Sequence, residues 1–566
     1  MQVTTTINEN IRLAQRAETT PYHLPFSSFA QFFHERVTNP QLGLQTFLTY
    51  YDDDAGIRRT YTYAEFGDLV ARAVIFMQEG LGIRPGDRIA TFLFNHDHTV
   101  VIYFAAWVLG ATIIPVNHDE SHSRKRYILE HSEACCAFCW ASELEDIRDL
   151  SRDLPHIRHV VSLDNDSTPF LETLGRPDIY LPQTGSGLSQ EALIVYTSGT
   201  TGLPKGVVLT VENLLMDADG ISTWHGFAPG DCLMCVLPIH HVNGIVVTLI
   251  TPFYFKGRAV LNRRFRRSAF WPRIQEEGVS CVSVVPTLLE FLLMGPRTMT
   301  LDRLDHFRGV ICGAGPLTKN TAARFEDQFH YPIRHGYGLS ETTCYSSFLP
   351  VALSGNEHRH WLRDFEFPSI GLPIPHNDMA ILDAQGHLLP PMEKGEICIR
   401  GQTVCSGYLK QPEANEETFQ WGWFRSGDEG FCVQDDQGRP FFFISGRLKE
   451  LIIRGGVNIS PLEIDEALRG HPFVKFAMAL SFDHQYYGEE IAGYLVLKEG
   501  IARPSESDII QFCRKRLPFS KCPKVIVFGE EIPFTTTGKP KRLELKTQLR
   551  PVFAQYYDVR FKDSLS

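Results

Sequence analysis

Residues 196 to 207 read Tyr196-Thr197-Ser198-Gly199-Thr200-Thr201-Gly202-Leu203-Pro204-Lys205-Gly206-Val207, a loop rich in glycine and hydroxyl groups that ends in one lysine. Apolar runs flank it, Ala192 to Val195 before and Val207 to Leu209 after, so the loop joins two strand candidates. Glycines let backbone N–H groups close on an anion, four hydroxyls donate to phosphate oxygens, and Lys205 adds a compact positive charge. This is the make-up of a phosphate-gripping loop. It is not a Walker loop, which needs Gly-Lys-Ser/Thr, because Pro204 precedes Lys205 and Gly206 follows it. An exposed polar hairpin has a similar composition, so the loop alone leaves both readings open. The strings that follow decide between them.

Those strings are Leu237-Pro238-Ile239-His240-His241-Val242-Asn243-Gly244, Gly313-Ala314-Gly315-Pro316-Leu317, Tyr337-Gly338-Leu339-Ser340-Glu341-Thr342 and Trp423-Phe424-Arg425-Ser426-Gly427-Asp428. Ser445-Gly446-Arg447-Leu448-Lys449-Glu450, Gly455-Gly456-Val457-Asn458-Ile459-Ser460-Pro461 and Thr537-Gly538-Lys539-Pro540-Lys541-Arg542 complete the series. Each is weak by itself, but their shared order across most of the chain resembles the adenylate-forming ligases. That superfamily includes acyl-CoA synthetases, amino-acid adenylation domains and firefly luciferase.

The resemblance implies an α/β fold. A large N-terminal domain of several subdomains with parallel sheets, residues 1–445, would carry the nucleotide site, and a small mobile α+β domain, residues 446–566, would follow. The pattern of the residues agrees. Up to about Phe443, apolar strand candidates alternate with amphipathic helix candidates (Ile89 to Phe94, Ala111 to Val116, Ala192 to Tyr196, Cys232 to Leu237, Val279 to Val285, Arg308 to Ile311). After Gly446 the pattern restarts: Ser460-Pro461-Leu462-Glu463 reads as a capping box opening a helix to about Arg469. Strand candidates follow at Phe476 to Ser481 and Ile491 to Leu497, then a helix near Ser507 to Arg516.

The implied reaction joins a carboxylate to the α-phosphate of ATP, expels pyrophosphate, and then passes the acyl group to the thiol of CoA with release of AMP. By resemblance, Lys539 reaches the carboxylate and the α-phosphate, and Glu341 holds Mg²⁺ with Thr200, a hard oxygen set suited to that ion. Asp428 takes the ribose hydroxyls with Arg447 on the same sugar, Gly313, Ala314, Gly315 and Tyr337 form the adenine slot, and Gly338 also belongs to the nucleotide site. Thr197, Ser198, Gly199, Thr200, Thr201, Gly202 and Lys205 hold phosphates, with Ser340 and Thr342 flanking the metal-binding Glu341. Ser340 stands where the family usually carries threonine and keeps the hydroxyl. Lys449 would be the hinge of a domain rotation between the half-reactions, and Gly455 and Gly456 would then line the thiol tunnel.

Substrate identity is less legible. Where amino-acid-activating relatives place an aspartate this chain has His241, and the tryptophan that shortens the pocket of acetate-activating members does not appear in His335 to Leu339. The Leu237 to Gly244 and Phe367 to Gly371 segments resemble crotonobetaine/carnitine–CoA ligases. Pocket candidates are His240, His241, Asn243, Gly244, Thr287, Cys312, His335 and Cys344, a mixture that suits a short or medium acid bearing a polar group. Only 27 residues follow Lys539, too few for a fused carrier domain, which favours free CoA over a separate acyl-carrier protein. A non-catalytic nucleotide sensor would have lost Lys539, Glu341 or Asp428, and all three are present.

Bulk composition fits an ordinary enzyme. A formal net charge of -11 gives no general attraction to nucleic acid, and the one dense basic run, Arg263-Arg264-Phe265-Arg266-Arg267, reads as a solvated surface or as a contact for phosphates. No basic start leads into an apolar core at the N-terminus, so cytoplasm is the expected location. The uncharged stretch Thr99 to Asn117 reads as a helix capped by Asp97 and ended by Gly110, then a strand, and no transmembrane segment is expected. The pairs Cys136/Cys139 and Cys232/Cys235 fall in strands, where positions three apart face opposite ways. They are read as core residues rather than zinc ligands. The pairs His96/His98 and His240/His241 lack carboxylates at ligand spacing and are given no metal.

Overall fold

The computed structural model describes residues 2–17, 22–165, 168–169, 187–197, 203–295, 304–534 and 540–561. The longest sheet has 14 strands. Its centre is parallel, in the order Ile333–Tyr337, Val310–Cys312, Cys281–Val284, Cys232–Cys235, Arg258–Asn262, Thr46–Asp52. Antiparallel strands extend both ends. The central strands are short apolar runs buried on both faces, the pattern parallel strands require. A second sheet of 6 strands runs Lys205–Thr210, Glu191–Thr197, Thr112–Pro115, Arg88–Phe92, Cys136–Cys139, His159–Ser162. It is parallel except for its edge, where the first two strands form the hairpin that carries the phosphate loop.

The helix Asp97–Leu109 buries every residue but His98. Its core takes Ile89, Ile113 and Leu193 from the second sheet and Leu233, Cys235 and Ile311 from the long one, so the helix lies between the two sheets and is apolar all round. No described helix is long and apolar enough to cross a membrane. Gly110 ends this helix at φ 86°, as expected, but the cap is His96, whose Nδ1 accepts from the His98 N–H at 3.1 Å. Asp97 sits one residue further in. Strand alternation separates the cysteines: Cys136 and Cys235 join the core between the sheets, while Cys139 and Cys232 join the outer ones.

A third sheet of 5 strands gathers Val457–Ile459, Ile452–Arg454, Gly488–Leu497, Val474–His484 and Val525–Gly529. Helices Pro461–Arg469 and Glu506–Arg514 cover one face through Ile464, Leu468 and Ile509, and helix Arg542–Phe553 covers the other through Leu545 and Phe553. The first of these helices has the expected bounds but no capping box. Ser460 Oγ accepts from the Leu462 N–H at 3.2 Å and donates to the Ser445 carbonyl, while Glu463 is drawn away into an ion pair with Lys521 at 2.5 Å. The strand Pro440–Arg447 runs on across Gly446, the position at which the sequence pattern divides.

Candidate active site

The phosphate loop springs from the edge hairpin, where Thr197 pairs with Lys205 and its hydroxyl reaches the Lys205 carbonyl at 3.5 Å. Ser198, Gly199, Thr200, Thr201 and Gly202 lie outside the described residues, as does Lys539. The Lys205 ammonium stands over the Tyr408 ring, 4.7 Å from its centroid, and the Tyr408 hydroxyl donates to Glu341 Oε1 at 2.9 Å. Tyr408 is therefore the link between the loop lysine and the metal-binding candidate. Residues 405–409 reach it by pairing with the hairpin: the Val208 N–H donates to the Gly407 carbonyl at 3.0 Å and the Leu409 N–H to the Gly206 carbonyl at 2.8 Å. Sequence reading passed over Tyr408. The only signal was an aromatic beside Gly407 between two quoted strings.

Glu341 is presented by the short turn Ser340–Thr342. Thr342 turns inward: its hydroxyl accepts from the Leu339 N–H at 3.1 Å and from Ser346 Oγ at 2.8 Å, so it shapes the turn rather than facing a ligand. The next residue, Thr343, has φ 66° and ψ −67°, and the Cys344 N–H bonds back to the Thr342 carbonyl at 2.8 Å. That is a γ-turn with a left-handed, β-branched centre, a strained arrangement. It is held by Thr343 Oγ1 donating to the Thr403 carbonyl at 2.7 Å. Gly338 is needed here because a Cβ would overlap the Cys344 carbonyl. A carboxylate steadied by a tyrosine hydroxyl, beside a phosphate loop, fits Mg²⁺, which binds through one or two carboxylates plus substrate phosphates.

A cavity of about 200 Å³ opens beside this turn, lined by Ala314, Gly315, Tyr337, Gly338, Asp428 and Arg447, and from the C-terminal side by Glu450, Asp465, Pro540 and Arg542. Asp428, buried, accepts from the Tyr337 hydroxyl at 2.6 Å and pairs through its other oxygen with Arg447 Nε at 2.7 Å. Each oxygen keeps a further acceptor site. Burial, with Asp428 alongside, pushes the Tyr337 phenol well up, so it stays a donor, while Asp428 raises the Arg447 guanidinium. Gly313 has no room for a side chain because Tyr345 and the Gly336 carbonyl crowd it. His335 also lines this cavity, its Nδ1 2.8 Å from the Ser369 carbonyl, and burial lowers it to about 4.

A second cavity, about 910 Å³, is lined by His240, His241, Asn243, Thr287, Arg263 and Leu288 among others. Ala314, at φ 62°, is common to both linings. Of the residues expected to meet the acid, Gly244, Cys312 and Cys344 line neither cavity. Gly244 is required instead by the close Pro238 carbonyl, and both cysteines are core. The arginine run is solvated only in part: Arg264 and Arg267 are exposed, Arg264 and Arg266 pair with Asp54, and Arg263 lies over Phe94 with its guanidinium 3.0 Å from the ring centroid. Lys449 is exposed in the turn Leu448–Glu450, beside both Arg447 and Glu450 of the smaller cavity. Gly455 and Gly456, at φ 58° and 82°, form the two-residue turn between Ile452–Arg454 and Val457–Ile459 and line neither cavity.

His96, Asp97 and His98 do converge, with ligand atoms within 4.8 Å of one another, because Asp97 itself supplies the carboxylate that the sequence reading found lacking. That carboxylate is engaged by Tyr61 at 2.6 Å, Arg59 at 3.1 Å and the His98 N–H at 3.0 Å, and the arginine opposes a cation there.

Comparison with known proteins shows the family. Residues 44–409 match the AMP-binding enzyme family model, and residues 463–539 match the AMP-binding enzyme C-terminal domain. The chain is 34% identical to a sulfoacetate–CoA ligase of Cupriavidus necator over 469 residues, covering 82% of this chain and 88% of that protein. It is 31% identical to an oxalate–CoA ligase of Arabidopsis thaliana, covering 85% and 92%. A crotonobetaine/carnitine–CoA ligase of Salmonella typhi is 28% identical, covering 87% and 94%. ATP-bound MatB from Rhodopseudomonas palustris superposes with a TM-score of 0.82 at 25% identity, covering 94% of this chain and all 100% of that one. The chain belongs to the AMP-binding enzyme family, as an adenylate-forming ligase of the acyl-CoA synthetase type.

Proposed function

We propose that this protein is an ATP-dependent carboxylate–CoA ligase for a small acid carrying a polar or charged substituent. The observation that carries the reading is the paired arrangement at the smaller cavity. Asp428, fixed by Tyr337 and Arg447, offers acceptors for two ribose hydroxyls. On the phosphate side, Tyr408 touches both Lys205, through its ring, and Glu341, through its hydroxyl. Pro540, next in sequence to Lys539, lines the same cavity, which supports placing that lysine at the reacting phosphate.

In the first step a carboxylate oxygen bonds to the α-phosphorus and the bond to pyrophosphate breaks. Lys205 and Lys539 offset the charge on the phosphates, and the ribose contacts fix the line of attack. Glu341 and Thr200 would hold Mg²⁺, which neutralises phosphate charge when bound. In the second step the CoA sulfur bonds to the acyl carbon, the carbon–oxygen bond to AMP breaks and the thiol proton is lost. Residues from the C-terminal part line both cavities (Arg542 the smaller, Lys475 and Phe534 the larger), so a rotation of residues 446–566 about Lys449 would open both. The reading also places the enzyme in the cytoplasm, which suits its thirteen free cysteines.

Two relatives named for sulfoacetate and oxalate support a small substituted acid. The test is AMP release with ATP and Mg²⁺ across a panel of carboxylates, each with and without CoA. CoA-dependent release is expected. Release indifferent to CoA would point to a carrier protein as acceptor, and nucleotide binding without turnover would refute the ligase.

A further inference from the structure

The larger cavity has mainly apolar walls, so its polar groups select what enters. Of the basic side chains on its lining besides Arg263, two already have a carboxylate and a third, Lys475, is solvent-exposed. Arg264 pairs with Asp54 at 2.8 Å, His118 with Asp119 at 3.3 Å, and Lys475 lies beside the Phe476 ring at 5.8 Å. Arg263 differs. Half-buried and seated on Phe94, it has no carboxylate within ion-pair distance among the described residues. Asp52 and Tyr50 are near enough to be felt but not to pair. Taking a guanidinium partly out of water without a counterion is costly, and stacking on one ring recovers little of that cost. On the same lining, His240 is 6% exposed with Nε2 lacking any partner, its ring 4.4 Å from that of His241. A half-buried guanidinium without a counterion and a buried imidazole nitrogen without a partner, on one lining, mark a place where an anion completes the structure.

We propose that Arg263, with His240 beside the same space, binds a second anionic group of the substrate, so that the acid is a small dianion such as a dicarboxylate or sulfocarboxylate. This rests on the ligase reading. The reacting carboxylate lies at Ala314, where the two cavities meet, and the second acidic group extends into the larger one. Arg263 is thus a specificity-determining residue, and its planar fork suits a carboxylate or sulfonate bidentately.

The experiment measures CoA-dependent AMP release for matched pairs, succinate against butyrate and sulfoacetate against propionate, by wild type, Arg263→Gln and Arg263→Lys. Wild type is expected to favour the dianion in kcat/KM. Arg263→Gln should cut that preference by about 30-fold, mostly through the KM of the acid, and Arg263→Lys should restore part of it. The KM for CoA should move less than about twofold, since Arg263 touches the acid and not the thiol carrier. An unchanged preference in Arg263→Gln overturns the proposal, and so does a raised KM for CoA at constant acid preference, which would put Arg263 on a CoA phosphate. If Arg263→Gln melts early, wild type alone decides: monoacids equal to or better than dianions overturn the proposal while leaving the ligase intact. No CoA-dependent release with any acid refutes the ligase itself.

Discussion

The two cavities that meet at Ala314 are built in opposite ways. Around the smaller one the named polar groups are paired within the protein: Tyr337 with Asp428, Asp428 with Arg447, Tyr408 with Glu341, Arg542 with Asp465 at 2.7 Å. Around the larger one Arg264 and His118 are paired, but among the described residues Arg263 has no carboxylate at ion-pair distance and His240 Nε2 has no partner. A site that performs the same chemistry on the same nucleotide gains from groups fixed in advance, since little reorganisation is left for the reaction. A site that chooses among acids gains from groups whose partner only the right acid brings, because a wrong acid leaves them buried and unpaired. On the proposed reading, the contrast separates machinery from selectivity.

Variants on the paired side should therefore lower turnover for every acid alike. The largest effect is expected for Lys539→Ala, which should slow adenylation by about 10²–10³-fold, read by pyrophosphate exchange, yet spare thioester formation from preformed acyl-adenylate. Equal loss of both half-reactions would break the two-state hinge. Next comes Tyr408→Phe, which keeps the ring under Lys205 and removes the hydroxyl from Glu341. A loss of about tenfold is expected, seen as a raised Mg²⁺ requirement with acid preference unchanged. A shift in acid preference would mean that the two sides are coupled.

The smallest effect concerns pH. His335 is held at about 4 by burial, against 6.5 when unfolded, so the unfolded chain binds a proton that the native one refuses. Stability is then full above pH 6.5 and falls between 6.5 and 4, at up to about 1.4 kcal/mol per pH unit from this residue. Denaturant titrations of wild type and His335→Gln across that window should differ by about one proton in slope, and equal slopes would remove His335 from the account.

Much of the smaller cavity was legible because its parts sit in contiguous strings, each with its own glycines and charges. Asp428 and Arg447 were named from such strings, and they face each other because the two antiparallel strands put them in register. Tyr408 was not legible. It reaches Glu341 across 67 positions by pairing of residues 405–409 with the phosphate-loop hairpin, and no local periodicity encodes that contact. The residues named for the acid divide for a similar reason. His240, His241, Asn243 and Thr287 line the cavity, but Cys312 and Cys344 lie near the right strings and face the cores, since side-chain direction depends on the pairing partner. Arg263 looked like part of an even basic run until Asp54 took two of its neighbours.

Because the described linings of the two cavities share only Ala314, changes on one side have no wall in common with changes on the other. Substitutions more than about 7–10 Å apart without shared partners add in free energy. A lineage of such enzymes can then drift from one acid to another by point changes around Arg263 and His240 without re-solving adenylation each time, provided residue 314 is left alone.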